Sequence, residues 1–296
     1  MGHSMKYVSI IIVLFTLVSC ASTEMKDKSP DERKADLYYN HGTQALLSKD
    51  YTTALNHLQK AVALTPKDTK VQNNLGMAYY FKGEINTAIK HLLEAIDLDE
   101  KNSDARVNLA GIYYAQGRMD LALTQYEIVT KDLIYPFQFR TYYNMAIINE
   151  RQGKISQARD LLAKSINENK GYCPAYFLLG KMNEKAMDLN SALASYQDAT
   201  KGQCYEEPAP HFSQAKILIQ LGRYSEAQEK LELVMEKFSR TSYFAMASQE
   251  LAKLKKLTSL GQDDYIQKAR IEMDKIRDRD NQNKINEEQT LQGTSF

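Results

Sequence analysis

Residues 74–83 read Asn74-Leu75-Gly76-Met77-Ala78-Tyr79-Tyr80-Phe81-Lys82-Gly83, with Ala88 and Ala95 following. Ala88 is one of six alanines, Ala54, Ala88, Ala122, Ala158, Ala192 and Ala227, separated by 34, 34, 36, 34 and 35 residues. Twelve residues before each stands a small residue: Gly42, Gly76, Ala110, Ala146, Gly180 or Ala215. Four after each comes a large one: Leu58, Leu92, Tyr126, Leu162, Tyr196 or Leu231. Three before each is Tyr51, Ile85, Met119, Ile155, Leu189 or Tyr224. A fixed period of this length is the mark of a solenoid, in which each unit buries its apolar face against the next. Small residues on one helix, facing an alanine on its partner, let two backbones approach to the low end of ~8–10 Å.

This register resembles the tetratricopeptide repeat over about residues 35–240. The family's usual tryptophan is replaced by Tyr38, Tyr142 or Tyr176, or by the polar Gln72, Arg106 and His211. The resemblance implies an all-α fold: a right-handed superhelix of about six helix-turn-helix repeats, with the first helices lining a concave face. The repeats are expected near 35–68, 69–102, 103–138, 139–172, 173–207 and 208–240. Gly83, Gly117, Gly153 and Gly222 fall between the helices of their pairs, where a left-handed residue suits glycine. Lys49 and Met187 hold that position in the first and fifth repeats, which predicts looser turns there. A capping helix is expected at 241–258, with Phe244, Ala247, Leu251 and Leu254 on one face, completing an array over 35–260. Beyond it, 14 of the 36 residues of 261–296 are charged, which predicts a tail that is partly helical or disordered.

Composition agrees with long helices. Of 296 residues only 13 are glycine and six proline, too few for a turn-rich β chain. Lys and Arg number 38 against 37 Asp and Glu. That balance argues against a nucleic-acid footprint.

The N-terminus reads as an export signal. Lys6 precedes the mostly apolar run Tyr7–Val18, 12 residues long, which is too short to span ~30 Å of hydrocarbon. Leu17-Val18-Ser19-Cys20 resembles the bacterial lipobox. The resemblance implies a signal peptide over 1–19, a lipid on Cys20 and attachment to the membrane through it. Ala21 in place of an aspartate implies the outer membrane, facing the periplasm. Residues 20–34 are polar and aperiodic, and predict a flexible tether.

Chemistry is sparse. No HExxH motif, no glycine-rich phosphate loop and no GxSxG elbow occurs, so no enzyme, cofactor or small-molecule substrate is indicated. His57 and His91 share a repeat position, but two imidazoles make a poor zinc site, and solvated surface side chains are expected. Cys173 and Cys204 should lie at the same end of the fifth helix pair. Either a disulfide closing about 30 residues or two free thiols fits an exported protein.

The expected binding surface is the concave face. Its inward positions are Tyr39, Thr43, Leu46, Asn74, Met77, Tyr80, Asn108, Gly111 and Tyr114. Tyrosine and methionine suit an amphipathic helix laid in a groove. Asn40, Asn74, Asn108 and Asn144 share one repeat position. Their amides could bond a bound peptide or the scaffold itself. No basic clamp for a carboxylate terminus appears.

The 36-residue step falls at Asp132-Leu133-Ile134-Tyr135-Pro136-Phe137-Gln138-Phe139. It resembles the connection between third and fourth repeats of the type IV pilus pilotins, the PilF/PilW/Tgl family. That family's members are outer-membrane lipoproteins of about six such repeats. The resemblance implies an adaptor that binds an amphipathic segment of outer-membrane secretin subunits and promotes their localisation and assembly. The alternative is another periplasmic adaptor, such as a scaffold for peptidoglycan hydrolases.

Overall fold

A computed structural model describes residues 28–293. Among them are thirteen α-helices, one 3-10 helix and no strand. The chain divides into two compact units, Met1–His91 and Leu92–Phe296.

The first unit contains α1 (Pro30–Leu47), α2 (Tyr51–Leu64) and α3 (Thr69–Phe81). Here α1 packs on α2, α2 on α3, and α1 also touches α3. Helix α4 (Ile85–Leu98) begins in this unit. The second unit runs through α5 (Ser103–Ala115), α6 (Met119–Val129), α7 (Gln138–Arg151), α8 (Ile155–Glu168), α9 (Cys173–Lys185) and α10 (Leu189–Asp198). A 3-10 turn (Gly202–Glu206) leads to α11 (Pro208–Gln220), α12 (Tyr224–Lys237) and α13 (Ser242–Gly293). From α5 to α13 each helix packs on the next.

The 34-residue register survives contact by contact. The six recurrent alanines are all 0% exposed. Each residue three before one of them opens a helix: α2, α4, α6, α8, α10 and α12 begin at Tyr51, Ile85, Met119, Ile155, Leu189 and Tyr224. The small and large positions meet across the helix pairs. A Cβ built on Gly42 would lie 2.6 Å from Leu58 Cγ, and one on Gly180 2.6 Å from the Tyr196 ring. These contacts are why the position is small, since real Cβ atoms do not approach so closely.

The turns inside the pairs are uniform, which corrects the expectation for two of them. At Gly83 the chain is left-handed (φ 85°). Its N–H donates to the Tyr80 carbonyl at 2.9 Å, and Glu84 N–H to the Tyr79 carbonyl at 3.0 Å. This is the Schellman closure of a helix C-terminus. Lys49 and Met187 adopt φ 62° and 60° and close the same way. Lys49 donates to Leu46 and Asp50 to Ala45; Met187 donates to Glu184 and Asp188 to Asn183. The turns are not looser; they impose glycine's conformation on residues with a Cβ.

The first helix starts earlier than its sequence suggests. Ser29 caps α1 through its hydroxyl, which accepts from Glu32 N–H at 3.1 Å, while the Glu32 carboxylate accepts from Ser29 N–H at 2.7 Å. Pro30 stands in the first turn, where its missing N–H is harmless. Residues 30–34 are therefore helix, not tether; residues 20–27 lie outside the described residues.

At the other end α13 continues without a break to Gly293, past the expected stop at 258. No proline follows Pro210, and ion pairs such as Lys253–Glu250 and Lys275–Glu272 support the helix at one-turn spacing. Ala247, Leu251 and Leu254 cap the core made by α10, α11 and α12. Phe244 is 40% exposed instead of buried; Tyr243 takes the inward place against Phe212, ring centroids 5.7 Å apart.

Candidate partner-binding site

The predicted surface lies on the first helices of the pairs, and its residues have unequal freedom. In the first unit Tyr39 and Leu46 pack against the core of Ala45, Ala54, Leu58, Leu75 and Ala78. Asn74 is committed as well: its Nδ2 donates to Thr43 Oγ1 at 2.8 Å, and its Oδ1 accepts from Asn73 Nδ2 at 3.1 Å. The asparagine position therefore serves the scaffold here, tying α3 to α1. Met77 and Tyr80 lie one turn apart on α3, half-buried, and neither belongs to that core. The Tyr80 ring meets Phe81 edge-on at 5.3 Å, and Phe81 stacks on Tyr51 at 4.5 Å. Met77 and Tyr80 thus form the adaptable apolar part of the predicted surface.

In the second unit the predicted residues divide similarly. Tyr114 packs on the core of Ala110, Ala122, Tyr126, Met145 and Ile148, with the Arg151 guanidinium 4.8 Å above its ring. Asn108 is half-buried. Gly111 faces open space, since a Cβ there would meet nothing within 4 Å. Asn144 bonds the Tyr126 hydroxyl, whose pKa burial pushes up to about 12 against that bond.

Sequence reasoning missed a second concave surface, in the second unit. Phe139, Tyr143 and Tyr172 meet edge-on, with centroids 4.8 and 5.4 Å apart, beside a cleft of about 600 Å³. Arg140, Tyr143, Tyr172, Phe177, Glu207 and Pro210 line it, with Cys173 and Cys204. Burial raises Tyr172 to about 12, with Tyr143 adding and Arg140 opposing. Cys173 and Cys204 are placed as a disulfide, Cα atoms 5.9 Å apart, pinning the 3-10 turn to the start of α9. The density of aromatic residues in Tyr135–Tyr143 was the available signal.

The histidines are not the solvated side chains expected. His57 is half-buried between Tyr38 and His41, centroids 6.0 and 5.4 Å away. His91 stacks on Tyr79 at 5.2 Å, its Nδ1 2.7 Å from Gln72 Oε1. Among the described residues no group of three or more His, Cys, Asp or Glu side chains is placed to hold a metal ion. No helix among them is long and apolar enough to cross a membrane. Cys20 lies outside the described residues.

The polar residues in the tryptophan position share one task. Gln72 donates to the Pro66 carbonyl at 2.7 Å, Arg106 to that of Glu100 at 3.0–3.1 Å, and the His211 Nε2 lies 3.0 Å from that of Tyr205. Each reaches a carbonyl six residues upstream, closing the loop that enters its repeat. A scaffold built of 34-residue helix pairs with these closures is decisive for the fold. The fold is that of a tetratricopeptide-repeat array, like those of PilF and PilW.

The tetratricopeptide repeat model itself matches residues 78–117. A structure described as the functional characterisation of Pseudomonas aeruginosa PilF aligns with TM-score 0.63 at 17% identity, over 75% of this chain and 100% of that one. PilW, described as a widely conserved type IV pilus biogenesis factor, aligns with TM-score 0.62 at 16% identity, over 72% and 97%. The Cut9–Hcn1 hetero-tetramer of the APC/C aligns with TM-score 0.60 at 14% identity, over 77% and 44%. No characterised protein matches by sequence. At these identities the likeness is one of fold alone.

Proposed function

We propose that this tetratricopeptide-repeat chain is a non-enzymatic, lipid-anchored adaptor that captures an amphipathic segment of an outer-membrane secretin subunit and promotes assembly of the secretin ring. Cys20 carries the lipid, and the body faces the periplasm. The observation that carries the reading is the pair Met77 and Tyr80, half-buried on α3, outside the core that engages Tyr39 and Leu46. An apolar helix face laid there would remove both side chains from water, gaining ~25 cal/mol per Å² of apolar area. Methionine adapts to the incoming surface, and tyrosine adds a polar tip. Support also comes from the fold shared with PilW, a pilus biogenesis factor by its own description.

Met77→Glu combined with Tyr80→Ala tests it. The double variant is expected to keep its helicity and lose capture of purified secretin subunits, because a carboxylate would be buried in the apolar contact. A folded double variant that captures the secretin as well as the parent does would refute the proposal.

A further inference from the structure

The loop between α6 and α7 ends in two bare aliphatic side chains. Leu133 and Ile134 are each 91% exposed. Single exposed hydrophobics are ordinary, but two adjacent large ones at a rigid tip are not. The loop is braced from below. The Gln138 amide, itself buried, donates to the carbonyls of Val129 and Asp132 at 2.9 and 2.7 Å. Ser103 Oγ donates to Asp132 Oδ2 at 2.6 Å, and Tyr135 OH to Asp104 Oδ1 at 3.0 Å. Asp132 Oδ1 also accepts the N–H of Ile134. Asp132 and Asp104 thus brace the tip through hydrogen bonds.

Two cations stand beside it. Lys131 and Arg140 are exposed, and neither is paired with a carboxylate among the described residues. The Arg140 guanidinium lies over Phe137 and Phe139, 4.9 and 5.6 Å from their centroids. Tyr135 and Phe137, which follow the tip in sequence, meet edge-on at 5.7 Å. An exposed aliphatic pair, aromatic rings and two cations free of ion pairs among the described residues thus share one segment. Those three chemistries suit the hydrocarbon edge, interface and anionic headgroups of a bilayer. A protein receptor would need a pocket shaped to this tip; a bilayer needs only depth.

We infer that Leu133 and Ile134 dip into the surface of an anionic phospholipid membrane, making the α6–α7 loop a membrane contact separate from the N-terminal lipid. The inference rests on the membrane-anchored reading above. It also gives the adaptor a fixed face toward the bilayer, since one acyl attachment on a tether leaves orientation open.

The chain contains no tryptophan, so Leu133→Trp in the full chain introduces a single indole at the tip, and Gln197→Trp at an exposed position of α10 gives a control. The probes are vesicles of phosphatidylethanolamine and phosphatidylglycerol, with brominated acyl chains for the quenching arm. The indole of Leu133→Trp is expected to shift its emission to shorter wavelength, become several-fold less accessible to acrylamide, and be quenched by the brominated chains. That of Gln197→Trp should do none of these. Repeating the measurement on Leu133→Trp with Cys20→Ala should give the same burial, separating the loop from the acyl anchor. A chain that floats with the vesicles while the indole at 133 stays in water overturns the loop contact and leaves the anchor standing. Burial of that indole by purified secretin subunits, but not by vesicles, overturns it in favour of a protein receptor.

Discussion

A Cβ placed on Gly180 would stand 2.6 Å from both Cδ1 and Cε1 of Tyr196. The ring is wholly buried against α9, and its hydroxyl donates to Glu184 Oε2 at 2.6 Å, so it is held at both ends. Burial and that carboxylate raise the phenol's pKa well above its ordinary value. Gly180→Ala is expected to destabilise the fold by about 1–3 kcal/mol, overpacking outweighing alanine's better helix propensity. Gly111→Ala is the control. In α5, with nothing within 4 Å of the new methyl, it should stabilise by about 0.5–1 kcal/mol. Urea unfolding of the two variants decides; equal shifts would refute the packing account.

Lys49 and Met187 sit at φ 62° and 60°. Left-handed backbone costs a residue with a Cβ about 1–2 kcal/mol, part of which glycine returns through its freer unfolded chain. Met187→Gly should therefore raise stability by about 0.5–1 kcal/mol, and Lys49→Gly by a similar amount. Thermal melts that fall on either substitution would contradict the turn geometry.

His211 is 1% exposed, with Nδ1 unpartnered among the described residues. Burial holds its pKa below 6.5, opposing the hydrogen bond between Nε2 and the Tyr205 carbonyl; Lys230 and Lys237 act with burial, Glu206 against it. The unfolded chain takes up a proton near 6.5 that the folded state refuses. Stability from this residue is thus complete above about pH 6.5 and lost as the pH falls below it. His211→Gln should flatten the decline in melting temperature between about pH 7.5 and 5.5. An unchanged slope would rule out His211 as its source.

The Cys173–Cys204 bridge spans 31 residues of sequence. Opening it with a reductant is expected to lower stability by about 2–4 kcal/mol, and to do nothing to a Cys173→Ser/Cys204→Ser chain. Chemical denaturation with and without reductant measures this. Identical midpoints for the parent would mean the thiols are not bridged.

Much of the fold was legible because the repeat positions answer to one constraint each. Ala54 to Ala227 mark close helix crossings, and nothing larger fits. Reading the turns failed at Lys49 and Met187 because propensity describes what a residue prefers, while six identical closures describe what the neighbouring helices impose. The start of α1 was missed although Ser29, Pro30 and Glu32 spell a cap, since polarity was read ahead of capping. Within the candidate surface, Met77 and Tyr80 could be named from their spacing. That Asn74 is bonded to Thr43 could not, because a polar residue's partner depends on the distance between two helices. The cleft beside Tyr143 and Tyr172 joins residues brought together by a loop of irregular length, which periodicity does not describe.

Helix α13 runs for 52 residues, roughly 78 Å at 1.5 Å per residue, yet its buried side chains stop at Leu254, and every later one whose burial is described is exposed. A rod cemented only at its base has no uniform strength. Its far turns are held by little more than backbone bonds and paired charges, so they should open independently of the repeats and at progressively smaller free energy toward Gly293. Deuterium would accordingly enter the chain as a wave from that end, halting where Leu254 meets the core. The helix is in effect a boom with a graded hinge: stiff where it leaves the body, compliant at its tip, and able to sweep space that the repeat array cannot reach.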